Sequence, residues 1–210
     1  MTLGTLFAFP AAAAAAYLST NIDGFALLMD FSVNERYRAS EIAAGQLASV
    51  GIQLAASIAI MNLGGLGDAP FIGLAGIVPL AAGLRRIVAG LGGRALAEAP
   101  PRALRQRVSH GAVERLALVT TIATCGAIDN VLVYAGLFVG HGAADLACAS
   151  MVFAAMALSS CALAFIAARS RISLRGLRTA ATRIAPIMTT AVGAALLIRF
   201  GTFEWIWSLA

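Results

Sequence analysis

Six stretches of the chain run for about the width of a bilayer with few charges in them: Leu3 to Phe31, Ile42 to Leu63, Phe71 to Leu91, Leu116 to Val139, Leu146 to Ala168 and Ile184 to Phe200. An α-helix needs roughly 20 consecutive apolar residues to cross the hydrocarbon layer, and each stretch comes close to or exceeds that length. The pattern predicts an all-α polytopic membrane protein with six transmembrane helices. The first stretch lacks a basic leader and runs well past the apolar region of a signal peptide, so it reads as a retained span, although Ala11 to Ala16 imitates a cleavage zone.

Two polar interruptions break this pattern, Asn21-Ile22-Asp23-Gly24 in the first stretch and Ile128-Asp129-Asn130 in the fourth. A carboxylate near the bilayer centre costs about 2.5 to 3.5 kcal/mol on insertion scales, so its retention points to a functional site. Asp23 and Asp129 are 106 positions apart, and Pro79 and Pro186 in the third and sixth stretches are 107 apart. A three-helix unit is thus expected to occur twice: residues 1–92 form the first repeat, 93–115 a cytoplasmic linker broken by Pro100-Pro101, and 116–210 the second repeat. Three spans are an odd number, so the second unit enters from the opposite side. An inverted repeat of this kind carries its substrate site near the midplane between the units.

Charge fixes the orientation. All fifteen basic residues are Arg, and most fall between predicted spans: Arg36 and Arg38, then Arg94, Arg102, Arg105 and Arg107, then Arg169, Arg171, Arg175 and Arg178. The turns at Gly64 to Pro70 and Gly140 to Asp145 have none. By the positive-inside rule the Arg-bearing loops are cytoplasmic and both termini periplasmic, in a bacterial inner membrane. Arg85 and Arg86 fall inside the third stretch and shorten it from its cytoplasmic end. Trp205 and Trp207 read as an interfacial anchor.

Composition agrees with membrane solvation. The 210 residues are 60% hydrophobic and 12% charged, with net charge +5, against about 25% charged residues in a soluble domain. Because the basic residues are dispersed among the loops, nucleic-acid binding is not expected. The three cysteines form no CxxC pair and none lies in the first half, which excludes a membrane thiol oxidoreductase. There is no Walker A sequence and no soluble domain to hydrolyse nucleotide, so the chain is not expected to be an enzyme and any pumping must use an ion gradient.

Asp23 and Asp129 together can neutralise one divalent cation. Asn21 and Asn130 can add amide oxygens, Thr20 a hydroxyl and Gln46 a further carbonyl, all oxygen ligands suited to such an ion. Gly24 and Gly126 are expected to let the backbone open beside the carboxylates. For Asn21, Asn130, Thr20 and Gln46 the competing role is hydrogen bonding that joins the helices. Cys125, four residues before Asp129, shares its face on a regular helix and would favour a soft ion such as Cd²⁺ or Zn²⁺; the competing role is packing, as for Cys148 and Cys161. Asp30 and Glu41 are placed at wet helix ends, Asp145 in the interface at the start of the fifth span, and His110 and His141 in loops.

Thr20-Asn21-Ile22-Asp23, Gly45-Gln46, Gly76-Ile77-Val78-Pro79-Leu80, Ala117-Leu118-Val119-Thr120, Asp129-Asn130-Val131 and Val133-Tyr134 occur in an order and spacing that resemble the cadmium-resistance transporter family of the lysine-exporter superfamily, which also contains manganese exporters. The family pattern follows its first Asp with a second, where this chain has Gly24. The resemblance implies efflux of a divalent metal. Expulsion against an inside-negative potential costs about 4.6 kcal/mol per 100 mV, two charges at about 2.3 each. Proton antiport on the same carboxylates is the expected coupling, since burial raises a carboxylate's pKa and a bound cation lowers it. The expected partners are the metal as cargo, protons and the lipid bilayer, with no resident cofactor and with a homodimer as a possible assembly. The alternative is an exporter of amino acids or another small organic solute.

Overall fold

The computed structural model describes residues 3–63, 74, 76–91, 111–125, 127–170 and 174–208; within these, the side chains of residues 3–7, 23, 63, 91, 128, 129, 174–182 and 185 are not described. The described chain is helical without strands: α1 (Leu3–Val33), α2 (Ala39–Leu63), α3 (Ile77–Leu91), α4 (Ala112–Cys125), α5 (Ile128–Phe138), α6 (Ala143–Arg169), α7 (Leu174–Arg199) and α8 (Thr202–Ser208). Two helices, over Ala39–Asn62 and Ala143–Arg169, are individually long and apolar enough to cross a membrane. Two bent pairs raise that number to four, Ala112–Cys125 with Asn130–Phe138 and Pro186–Arg199 with Thr202–Ser208. Most of the linker and the turn at Gly64 to Pro70 lie outside the described residues.

The backbone differs between the two polar interruptions. The fourth stretch is not one helix: α4 ends at Cys125 and α5 starts at Ile128, with a 71° bend between the flanking helices. Ala127 caps α5 with φ of −131°, outside helical values. The first stretch, by contrast, stays helical through Gly24. Its polar side chains bond back along their own helix, Ser19 and Thr20 hydroxyls to the Ala16 carbonyl (both 2.9 Å) and Asn21 Nδ2 to the Tyr17 carbonyl (3.1 Å). A short polar residue satisfied in this way leaves the helix intact.

α1 packs along α6 and α7, α2 lies against α4, α5 and α6, and α3 pairs with α7. The α3–α7 crossing brings backbone close to backbone. A Cβ on Gly83 would stand 2.7 Å from the Thr190 nitrogen and 2.8 Å from the Pro186 carbonyl, and one on Gly193 would stand 2.6 Å from the Gly76 carbonyl. Small residues at such crossings replace the hydrophobic effect, which is weak between helices in lipid, with van der Waals contact. Pro79 is tolerated beside them because it occupies the first turn of α3, where its missing N–H has no intrahelical role.

At the start of α2 lies an ion pair unlike the wet helix end expected for Glu41. Glu41 is buried, and Arg115 of α4 grips it as a fork, Nε to Oε2 at 2.8 Å and Nη2 to Oε1 at 2.6 Å. Glu41 Oε2 also accepts the Arg38 backbone N–H (3.0 Å), capping α2. The guanidinium plane matches both carboxylate oxygens and so joins α2 firmly to α4.

Candidate functional site

Two apolar clusters bracket a polar layer. One contains Tyr17, Val50, Leu54, Val133, Tyr134, Phe138 and Phe153; the other contains Leu28, Phe31, Ile42, Val119, Ile122 and Cys161. Along α1 the residues between them are Ser19 to Gly24, and along α4 and α5 they are Thr124 to Asn130. The polar interruptions of the two halves therefore fall at one level of the helix bundle.

In the first half, Tyr134 of α5 reaches across to α1. Its ring is fully buried and stacks near Phe153, with centroids 4.5 Å apart, which holds its hydroxyl in place. Asn21 Nδ2 donates to that hydroxyl at 2.7 Å, and the Thr20 hydroxyl lies 3.1 Å away. The Thr20 hydroxyl also lies 2.9 Å from the Ala16 carbonyl. Asn21 thus spends its amide nitrogen on protein acceptors. Its oxygen lies on the side of Gly24, 3.8 Å from the place a Cβ would take there.

In the second half, the break before α5 is held by α2. Asn130, in the first turn of α5, is fully buried and donates Nδ2 to Gln53 Oε1 (3.1 Å). Gln53 Nε2 donates to Ser49 Oγ (3.0 Å), which also receives the Thr124 hydroxyl (3.1 Å). The Ser57 hydroxyl lies 2.7 Å from the Gln53 carbonyl and 2.9 Å from the Val131 carbonyl, tying the first turn of α5 to α2. Asn130 Oδ1 is buried and has no hydrogen-bond partner among the described residues.

Thr20, Asn21 and Asn130 therefore lie in the polar layer. Asp23 and Asp129 sit in α1 and in the first turn of α5, and their side chains are outside those described. Gln46 is buried on α2, where the Tyr17 hydroxyl faces it and Ser160 without hydrogen-bond geometry to either. Cys125 is exposed at the end of α4, and the break after it removes the regular helix that would have put it on the Asp129 face. Among the described residues no three His, Cys, Asp or Glu side chains cluster as a metal site. The described side chains of the polar layer are neutral.

Sequence reasoning assigned no role to Gln53, Ser49, Thr124 or Tyr134. A signal for the first two was present: Gln46, Ser49, Gln53 and Ser57 recur at helical spacing on an otherwise apolar helix, and all four are buried. A buried polar stripe on one face marks the side turned to other polar groups.

No curated protein and no solved structure matches the chain. A family model for cadmium resistance transporters matches residues 17–209, a span that takes in both polar interruptions and the α3–α7 crossing. The chain belongs to the cadmium resistance transporter family.

Proposed function

We propose that this protein exports a divalent metal, Cd²⁺ or a close relative, from the cytoplasm by proton antiport, with Asp23 and Asp129 holding metal and protons in turn. The observation that carries the reading is the buried polar layer: a helix break next to Asp129 faces a polar turn of α1 next to Asp23, and each is flanked by an asparagine. Irregular backbone at membrane depth is tolerated where it borders protein or a watery cavity, and transporter sites are commonly built from such breaks.

An inverted repeat agrees with how the helices pair. If α1 corresponds to α4 with α5, α2 to α6, and α3 to α7, then packing of α1 on α6 mirrors packing of α2 on α4 and α5, and α2–α6 and α3–α7 are self-related pairs, whereas packing of α1 on α7 has only a slight counterpart in α3 on α5. Gly83 and Thr190, 107 positions apart like the two prolines, meet at the α3–α7 crossing, as equivalent residues do at a two-fold axis. Rocking of one unit against the other about this axis would open the layer to each side alternately.

Growth of a metal-sensitive bacterial host expressing the chain, across Cd²⁺, Zn²⁺, Mn²⁺, Co²⁺ and Ni²⁺, tests the reading. Resistance to at least one metal, lost on Asp23→Asn or Asp129→Asn with the protein still in the membrane, is the expected outcome. Unchanged sensitivity to every metal would contradict it.

A further inference from the structure

We propose that Gln53 is a positioning residue for the cation site: by accepting the Asn130 amide nitrogen it turns the Asn130 carbonyl oxygen toward the helix break as a ligand. The proposal rests on the reading of that break as the metal site. It adds a residue from a different helix and a reason for its chemistry.

An amide side chain has a donor end and an acceptor end, and which end faces a site decides whether it attracts a cation or an anion. Asn130 cannot choose freely, because its nitrogen is 3.1 Å from Gln53 Oε1. Gln53 is itself held by the donor bond from its nitrogen to Ser49 Oγ, an oxygen fixed also by Thr124. The Gln53 carbonyl end therefore faces Asn130. What remains is Asn130 Oδ1, fully buried and without a donor among the described residues. Folded proteins rarely leave such an atom unpaired, and an orphan acceptor beside a carboxylate-bearing break calls for a cation or its water.

The first half shows the same polarity by an independent route. Asn21 Nδ2 donates to the Tyr17 backbone carbonyl, which can only accept, and to the Tyr134 hydroxyl. Its oxygen is left on the Gly24 side. Both asparagines thus have their nitrogens consumed by protein acceptors and their oxygens left over, which suits a hard or borderline divalent cation and disfavours an anionic solute. Were Gln53 lost, Asn130 could rotate and present its NH₂ group, which repels a cation.

Titration calorimetry of the full-length protein in detergent with CdCl₂ tests this. Gln53→Leu is expected to weaken Cd²⁺ binding by roughly 10-fold, in line with loss of a group that orients a metal ligand. Gln53→Glu keeps an acceptor for Asn130 and adds negative charge, so it is expected to bind at least as tightly as the wild type. In an Asn130→Ala background Gln53→Leu is expected to add less than about a further 2-fold, because the ligand it orients is gone. If Gln53→Leu fails to fold, Ser49→Ala frees the Gln53 amide with a smaller change and is read in the same way. Wild-type affinity in Gln53→Leu or, where that variant fails to fold, in Ser49→Ala, or equal weakening with and without Asn130, would overturn the positioning role while leaving the metal site standing. Absence of Cd²⁺ binding by the wild type would overturn both.

Discussion

Glu41 and Arg115 provide the sharpest test of how α2 is held to α4. Their side chains are only 8% and 16% exposed, and they share two short hydrogen bonds. Removing one partner strands the other charge out of water, which costs about 3 to 5 kcal/mol for a buried pair. Arg115 keeps contact with water, so the expected cost of Glu41→Leu or Arg115→Leu falls well below that range. The double variant strands no charge and loses chiefly the bond that caps α2 at Arg38, worth about 1 kcal/mol. The two losses should therefore fall short of adding, with a coupling larger than about 0.5 kcal/mol. Equilibrium unfolding in mixed micelles, followed by helical circular dichroism, gives all four corners of the cycle. Additivity within about 0.5 kcal/mol would refute the reasoning and place the pair among solvent-screened surface bridges.

Four further outcomes follow from the packing and the site. Gly83→Leu or Gly193→Leu should destabilise the protein by about 1 to 3 kcal/mol or more through overpacking of the α3–α7 crossing, whereas Gly51→Ala, with nothing within 4 Å of its added methyl, should leave the unfolding midpoint nearly unchanged. Gly24→Asp should be accommodated, since the nearest described atom to the new Cβ is Asn21 Oδ1 at 3.8 Å, and should tighten Cd²⁺ binding by adding a third carboxylate; a misfolded product or an unchanged Kd would count against it. Single cysteines at Arg36 and Gly142, in a background lacking Cys125, Cys148 and Cys161, should react with an impermeant thiol reagent from opposite sides of the membrane, because the loops after α1 and α5 correspond under an inverted repeat; labelling from one side would sink that topology. Tyr134→Phe should weaken Cd²⁺ binding more than it lowers thermal stability, as it removes the acceptor that holds Asn21 but keeps the ring on Phe153; equal stability loss with intact binding would deny Tyr134 this role.

Helical content and the level of the polar layer were legible because both depend on local composition. Apolar runs force helices in lipid, and a rare Asp inside such a run shows at once. The break at α4–α5 was only half legible. Gly24 and Gly126 carry the same conformational freedom, yet α1 stays helical because Ser19, Thr20 and Asn21 bond back to it, a contest between neighbours that one glycine does not announce. Glu41 looked like a solvated helix end because its partner lies 74 residues away on α4, and a charge's surroundings depend on tertiary pairing. Gln53 was overlooked for a similar reason. Its polar stripe with Ser49 and Ser57 was visible, but not that the stripe meets Asn130.

The most direct test of the central claim is metal-driven proton movement in proteoliposomes carrying the full-length protein and a luminal pH dye. We expect a Cd²⁺ gradient to drive protons in the opposite direction with wild-type protein, and no such flux with Asp129→Asn or Asp23→Asn at equal reconstitution. With two carboxylates exchanging two protons for one metal ion, the wild-type flux should be insensitive to an imposed membrane potential. Proton flux retained by the Asp129→Asn protein, or Cd²⁺ movement without any proton flux in the wild type, would contradict antiport on these carboxylates.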